Sequence, residues 1–280
     1  MLVKYSPKEQ LSLNESKNFQ FKKKFGQNFI VDENVINKIV NLSGVAKETL
    51  VLEIGPGSGA LTWKLSQYAK NVVCYEIDEK LKPLLDENVG TLENVEVIYE
   101  DFLKANINEQ LSKHSYGKFY IVANLPYYIT TPIIVKIIED SINVDKIVIM
   151  VQKEVGDRFS SKPGNKTYGS VTVFLNHYFE VKKIMDVSRN VFMPVPNVDS
   201  IILSMTPTTN KKMLSDEKLF FALVRDAFKQ KRKTIRNNLL KYDLLKIEKV
   251  LKKHSYDLSV RAENLSYEIF VEIANELSEK

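Results

Sequence analysis

The chain is predicted to be α/β: a Rossmann-like open sheet with helices on both faces, followed by a small all-α domain. Three observations predict this. Apolar, β-branched runs alternate with helix-period segments from Leu50 to about Met150. The first of these runs ends in the glycine-rich turn Gly55-Pro56-Gly57-Ser58-Gly59-Ala60. Beyond Pro207-Thr208-Thr209-Asn210 no strand run recurs and the apolar spacing is helical.

Thr49–Ile54 is aliphatic and β-branched and fits a first parallel strand. Glycines after it let the backbone turn sharply and approach a ligand, and the helix that follows carries Leu61, Leu65 and Tyr68. Asn71–Tyr75 is the second strand and ends at Glu76, about 20 positions past the glycines, where nucleotide-binding folds hold a ribose diol. Val95–Tyr99 is the third and ends at Glu100-Asp101, where a carboxylate can accept from an adenine amine. Phe119–Ala123 is the fourth and runs into Asn124-Leu125-Pro126-Tyr127; Lys146–Val151 is the fifth. Lys162–Lys166 reads as a loop, and Val171–Phe179 and Ser200–Met205 read as two further strands. Helices are expected over Lys218–Phe228, Leu244–Lys252 and Tyr267–Leu277. The expected domains are 1–208, with 1–20 polar and mobile, and 209–280.

The Asn124–Tyr127 segment suits a flat base bearing an exocyclic amine. The Asn124 carbonyl and the Leu125 backbone carbonyl can accept its hydrogens, Pro126 stiffens the turn, and the Tyr127 ring can stack on the base. The same four residues also fit a plain turn after a strand. Gly55, Gly57 and Ala60 satisfy dinucleotide spacing, so a nicotinamide cofactor has to be weighed. S-adenosylmethionine is favoured by Glu53, which would repel a pyrophosphate, by Asp101, and by the clamp itself.

Taken together these segments resemble the KsgA/RsmA family of ribosomal RNA adenine N6,N6-dimethyltransferases. The resemblance is carried by Lys24–Ile30, Leu52–Thr62, Val122–Thr130, Met150–Val155 and Val191–Ser200, in family order and spacing from about Lys22 to Met205. Phe25 stands where Leu is common, and Tyr128 varies among relatives. The resemblance implies a class I methyltransferase sheet and S-adenosylmethionine held by Asn28, Ile30, Gly55, Glu76, Asp101 and Asn124. It implies Phe192 as a second wall for a flipped base. It further implies dimethylation of two adjacent adenosines near the 3′ end of 16S rRNA in the 30S subunit, late in its assembly. Two alternatives stand beside it: a 23S rRNA methyltransferase of the macrolide-resistance group, which tends to have Ile at the place of Leu125, and a non-catalytic assembly factor. A DNA adenine methyltransferase is disfavoured because that group usually has Pro at that place.

Composition agrees with a protein that handles nucleic acid. The net charge is +5, but residues 1–28 hold 6 Lys/Arg against 2 Asp/Glu, and residues 211–280 hold 16 against 11, so the middle is acidic. Lys22, Lys23 and Lys24 form one basic cluster and Lys229, Lys231, Arg232, Lys233 and Arg236 another, on a predicted helix or its end. Contacts from such clusters to phosphates would position RNA without reading its sequence. The single cysteine, Cys74, forms no internal disulfide, and three scattered histidines give no metal-ligand spacing. Without an apolar leader or a membrane-length apolar run, a cytoplasmic protein is expected, monomeric and free of metal.

Overall fold

The computed structural model describes residues 28–209 and 211–279. The basic cluster Lys22–Lys24 and the polar segment 1–20 lie outside the described residues.

In chain order the elements are β1 (Phe29–Ile30), α1 (Glu33–Ser43), β2 (Thr49–Ile54), α2 (Ala60–Ser66), β3 (Asn71–Glu76), α3 (Lys82–Val89), β4 (Val95–Tyr99), α4 (Ile107–Ser112), β5 (Lys118–Asn124), α5 (Thr130–Glu139) and β6 (Lys146–Gln152). They continue with α6 (Lys153–Phe159), α7 (Ser170–Tyr178), β7 (Phe179–Val187), β8 (Phe192–Met193), β9 (Ser200–Pro207), α8 (Glu217–Ala227), α9 (Ile235–Asn238), α10 (Leu244–Lys253) and α11 (Tyr267–Ser278).

A seven-stranded sheet runs in the order β4-β3-β2-β5-β6-β9-β7. Strands β4, β3, β2, β5 and β6 pair in parallel, and β9 pairs antiparallel to β6. Every residue of β2 is buried, including Thr49 and Glu53, as expected of a strand covered on both faces. The chain enters this sheet at β2, winds outward through β3 and β4, then returns to place β5 on the other side of β2. The β2/β5 boundary is therefore a topological switch point, where the carboxyl ends of neighbouring strands open a crevice for ligand. A separate two-stranded sheet pairs β1 with β8.

The chain divides into two compact units. One comprises the described residues up to Gly156 together with Lys182–Thr206, and contains nearly all of the sheet. Its core is packed by residues such as Val51, Leu65, Val122, Val148 and Ile202. The other comprises Asp157–Val181 and the residues from Pro207 onward. Its core gathers Tyr168, Val173 and Phe174 with Phe220, Leu223, Ile247, Leu251, Phe270 and Ile273. The helical segment after residue 209 thus does not pack alone; residues 157–181 join it.

The expected strand over Val171–Phe179 is a helix, α7, and the strand is the following β7. Helix start chemistry explains the difference. The Thr172 hydroxyl accepts from the Gly169 N–H at 3.3 Å and donates to the Arg158 carbonyl at 2.7 Å. Phe174 then packs edge-on against Phe220 and Phe221. Tertiary burial of this face overrides the β-preference of its Val and Phe residues. No helix of the described residues is long and apolar enough to cross a membrane.

Candidate active site

At the switch point a cleft open to solvent is lined by the ends of β2, β3, β4 and β5 and by the segment Asn28–Ile30. It brings together nine of the sequence-predicted residues: Asn28, Ile30, Gly55, Glu76, Asp101, Asn124, Leu125, Pro126 and Tyr127.

The glycine turn leaves β2 with positive φ at Gly55, Gly57 and Gly59. At Gly57 two constraints coincide: φ is +60°, and a Cβ there would sit 2.7 Å from the Phe29 ring. Only glycine admits both the left-handed backbone and the close approach of β1. At Gly55 a Cβ would lie 3.7 Å from Pro126 Cδ, so the turns after β2 and β5 pack side by side.

The acidic strand ends are partly engaged by the backbone. Glu76 Oε1 accepts from the Asp78 N–H at 2.9 Å and Oε2 from the Gly57 N–H at 3.4 Å. Burial holds its carboxyl above the usual range. Asp101 Oδ1 accepts from the Leu103 N–H at 3.0 Å, an Asx turn just beyond β4. Glu53 is buried, and the Thr62 hydroxyl donates to its Oε2 at 2.6 Å. Burial pushes its pKa up to about 8, against the lowering effect of the Thr62 bond. Burial thus works against the negative charge by which Glu53 is expected to repel a pyrophosphate. An approaching cation favours its ionised form.

Asn124 closes β5, and its Nδ2 donates to the Asn28 carbonyl at 3.0 Å. A carbonyl can only accept, so this contact sets the amide's orientation and turns Oδ1 away from Asn28. Leu125 N–H donates to the Met150 carbonyl at 3.1 Å. The Pro126 carbonyl accepts from the Ile129 N–H at 3.2 Å and from the Thr130 hydroxyl at 3.2 Å, which ties the turn to α5. Tyr127 is held at its phenol by Ser200, 2.9 Å away, and burial raises its pKa. The arrangement is a cleft with two acidic strand ends, a glycine wall, and an amide oxygen beside an aromatic ring.

Phe192 is not brought to this cleft. It pairs with Ile30 across β1 and β8, is 2% exposed, and packs into the core with Ile36 and Val40. The two-residue strand alternates: Phe192 and Ile30 enter one cluster, while Met193 and Phe29 join the other. Conversely, Tyr128 lines the cleft while 52% exposed. Phe102 also lines it, edge-on to Tyr75 at 5.8 Å. Position was the available signal for both, next to Tyr127 and to Asp101.

The second basic cluster lies in the helical unit. Lys229, Lys231, Arg232 and Lys233 occupy the connection between α8 and α9, and Arg236 lies on α9; all five are exposed. The expected helix ends before them, at Ala227.

Comparison with known proteins gives a consistent picture. A family model described as ribosomal RNA adenine dimethylase matches residues 18–279. The "Ribosomal RNA small subunit methyltransferase A" of Oceanobacillus iheyensis is 43% identical over 265 residues, 92% of this chain and 90% of that protein. The protein of that name from Bacillus mycoides is 43% identical over 281 residues, covering 97% and 96%. Among solved structures, a dimethyladenosine transferase from Plasmodium falciparum has a TM-score of 0.71 at 24% identity, covering 87% of this chain and 95% of that one. The 23S rRNA methyltransferase ErmE has a TM-score of 0.69 at 26% identity, covering 90% and 100%. The fold is that of the class I methyltransferases. With a family match spanning both units and such identity along nearly all of each relative, the chain belongs to the ribosomal RNA adenine dimethylase family.

Proposed function

We propose that the protein transfers methyl groups from S-adenosylmethionine to the N6 amine of adenosines in small-subunit rRNA. The reading is dimethylation of two adjacent adenosines near the 3′ end of 16S rRNA, in the 30S subunit late in its assembly. One observation carries it: the orientation of the Asn124 amide, whose Nδ2 is committed to the Asn28 carbonyl. Its Oδ1 is then the acceptor offered to a substrate amine. The relatives named for small-subunit methylation support the choice of rRNA.

The cleft fits the cofactor by its donor and acceptor set. Glu76 would take the ribose, Asp101 the adenine, and Gly55 with Asn28 and Ile30 the methionine end. A neutral Glu53 that ionises beside a cation suits an ammonium or sulfonium group better than a pyrophosphate. S-adenosylmethionine supplies a methyl group activated on a sulfonium.

The chain's own residues would position the nucleophile. An adenine amine is a poor nucleophile because its lone pair is delocalised into the ring. Asn124 Oδ1 and the Leu125 carbonyl would accept its hydrogens and favour a tetrahedral nitrogen whose lone pair faces the methyl group. In-line orientation supplies most of the rate. The base must leave its stack to enter the cleft, and the Tyr127 ring would offset part of that cost, base–aromatic stacking being worth about 1–3 kcal/mol. Phe192, buried behind β1, would act through the placement of Asn28–Ile30. The exposed cluster from Lys229 to Arg236 would hold RNA phosphates.

The test is methyl transfer from labelled S-adenosylmethionine to undermethylated small subunits and, separately, to 23S rRNA, with the modified bases mapped. Dimethyladenosine near the 3′ end of 16S rRNA is expected. Label in 23S rRNA alone would move the protein to the group that ErmE represents. Cofactor binding without label in either RNA would leave an assembly factor.

A further inference from the structure

Strand β9 begins with a residue out of keeping with its neighbours. Ser200 is fully buried, and the next three positions are Ile201, Ile202 and Leu203, also buried. A buried hydroxyl needs a partner, and Ser200 has one in the Tyr127 phenol at 2.9 Å. The contact joins the start of β9 to the turn after β5, 73 positions away in sequence.

The backbone that presents Ser200 is anchored on both sides. Ser200 pairs in register with Gln152 at the end of β6. The preceding carbonyl, of Asp199, accepts from the Lys153 N–H at 3.0 Å. The Asp199 carboxylate accepts from the Arg189 N–H at 3.0 Å, and the Arg189 guanidinium donates to the Asn197 carbonyl at 3.1 Å. The backbone that carries the hydroxyl is therefore anchored on both sides. Tyr127, in contrast, sits half-buried on a cleft-lining turn, and its phenol meets Ser200.

We infer that Ser200 is a positioning residue for Tyr127: its hydroxyl pins the phenol end of the ring so that the ring face is held for stacking on the target base. The inference rests on the function proposed above, because it gives Tyr127 a base to stack on. A phenylalanine at 127 would keep the stacking surface and lose the pin. The Ser200 hydroxyl touches no reacting atom and acts only through the ring.

The test is a double-mutant cycle on methyl transfer to undermethylated small subunits, using Ser200→Ala, Tyr127→Phe and the pair. Each single variant is expected to lower kcat about three- to tenfold, the range for losing one neutral hydrogen bond that orients a reacting partner. The pair should be no slower than Tyr127→Phe alone. Affinity for S-adenosylhomocysteine should stay within about twofold of wild type in all three, since none of the cofactor contacts is altered. Losses that multiply would overturn the inference, because Ser200 would then act independently of Tyr127. A lowered melting temperature with unchanged kcat would also overturn it. A second readout needs no turnover: the Cζ resonance of 13C-tyrosine at Tyr127 should shift in Ser200→Ala, and an unmoved resonance would refute the contact in solution. If wild type transfers no label, the proposed function fails, and the resonance still decides whether Ser200 holds Tyr127.

Discussion

Asn124 Nδ2 lies 3.0 Å from the carbonyl oxygen of Asn28, a bond between residues 96 positions apart that fixes the orientation of the amide. An aspartate in its place offers two acceptors and no donor. One carboxylate oxygen would then oppose the Asn28 carbonyl, and the side chain would rotate away. Asn124→Asp is expected to lower kcat by roughly 100-fold or more, the scale of losing near-attack geometry. S-adenosylhomocysteine affinity, measured by calorimetry, should fall far less. Equal losses in affinity and kcat would show that Asn124 serves the cofactor and leaves the amine to another group.

Gly57 couples the glycine turn after β2 to β1. Gly57→Ala puts a Cβ 2.7 Å from the Phe29 ring while holding φ at +60°, so strain and overlap act together. The expected loss is on the order of 1–3 kcal/mol of stability. Because Phe29 follows Asn28, its displacement should also weaken the Asn124 anchor and lower kcat. Gly164→Ala separates the two causes: φ there is +85° with nothing within 4 Å of a new Cβ. It should lower the melting temperature slightly and leave cofactor affinity unchanged.

Glu53 makes stability depend on pH. Its folded pKa, about 8, lies above the ordinary value of 4.5, so between these values the folded chain retains a proton that the unfolded chain has released. Folding stability contributed by this group is full below the lower value and declines as pH rises towards the upper one. The decline from about pH 5 to about pH 8 should be on the order of a few kcal/mol in wild type. Glu53→Gln should flatten it. Urea denaturation at several pH values measures both slopes, and parallel slopes would exclude the buried acid as the cause.

The parallel strands are legible because β2, β3 and β5 are largely buried apolar runs, with the glycine turn directly after β2 and Leu125–Tyr127 directly after β5. Phe179–Val187 escaped reading because this strand mixes buried, half-buried and exposed positions and carries two lysines and two acidic residues. Val171–Phe179 reads as a strand because its composition suits a buried strand as well as a buried helix. The deciding groups are the Thr172 hydroxyl and the distant rings of Phe220 and Phe221. Phe192 sits in the expected segment, but the pairing of β8 with β1 decides which way its ring points. Ser200 stayed hidden for the same reason as the Asn28 anchor: each meaning arises from a partner far away in the chain.

The basic connection between α8 and α9 offers a test of how the chain holds RNA. Its backbone is fixed by groups other than the basic side chains. Asn238 Nδ2 donates to the Ala227 carbonyl at 2.7 Å and to the Gln230 carbonyl at 3.2 Å, and Ile235 N–H donates to the Val260 carbonyl at 2.8 Å. Replacing Lys231, Arg232 and Lys233 together with alanine should therefore change stability by no more than about 0.5 kcal/mol per site. If these side chains meet phosphates, affinity for small-subunit rRNA should fall. The slope of log affinity against log salt should become shallower by about 0.7–0.9 for each phosphate that is no longer neutralised. Cofactor affinity should not move. A variant that binds RNA as tightly as wild type, with the same salt slope, would remove this connection from the RNA interface.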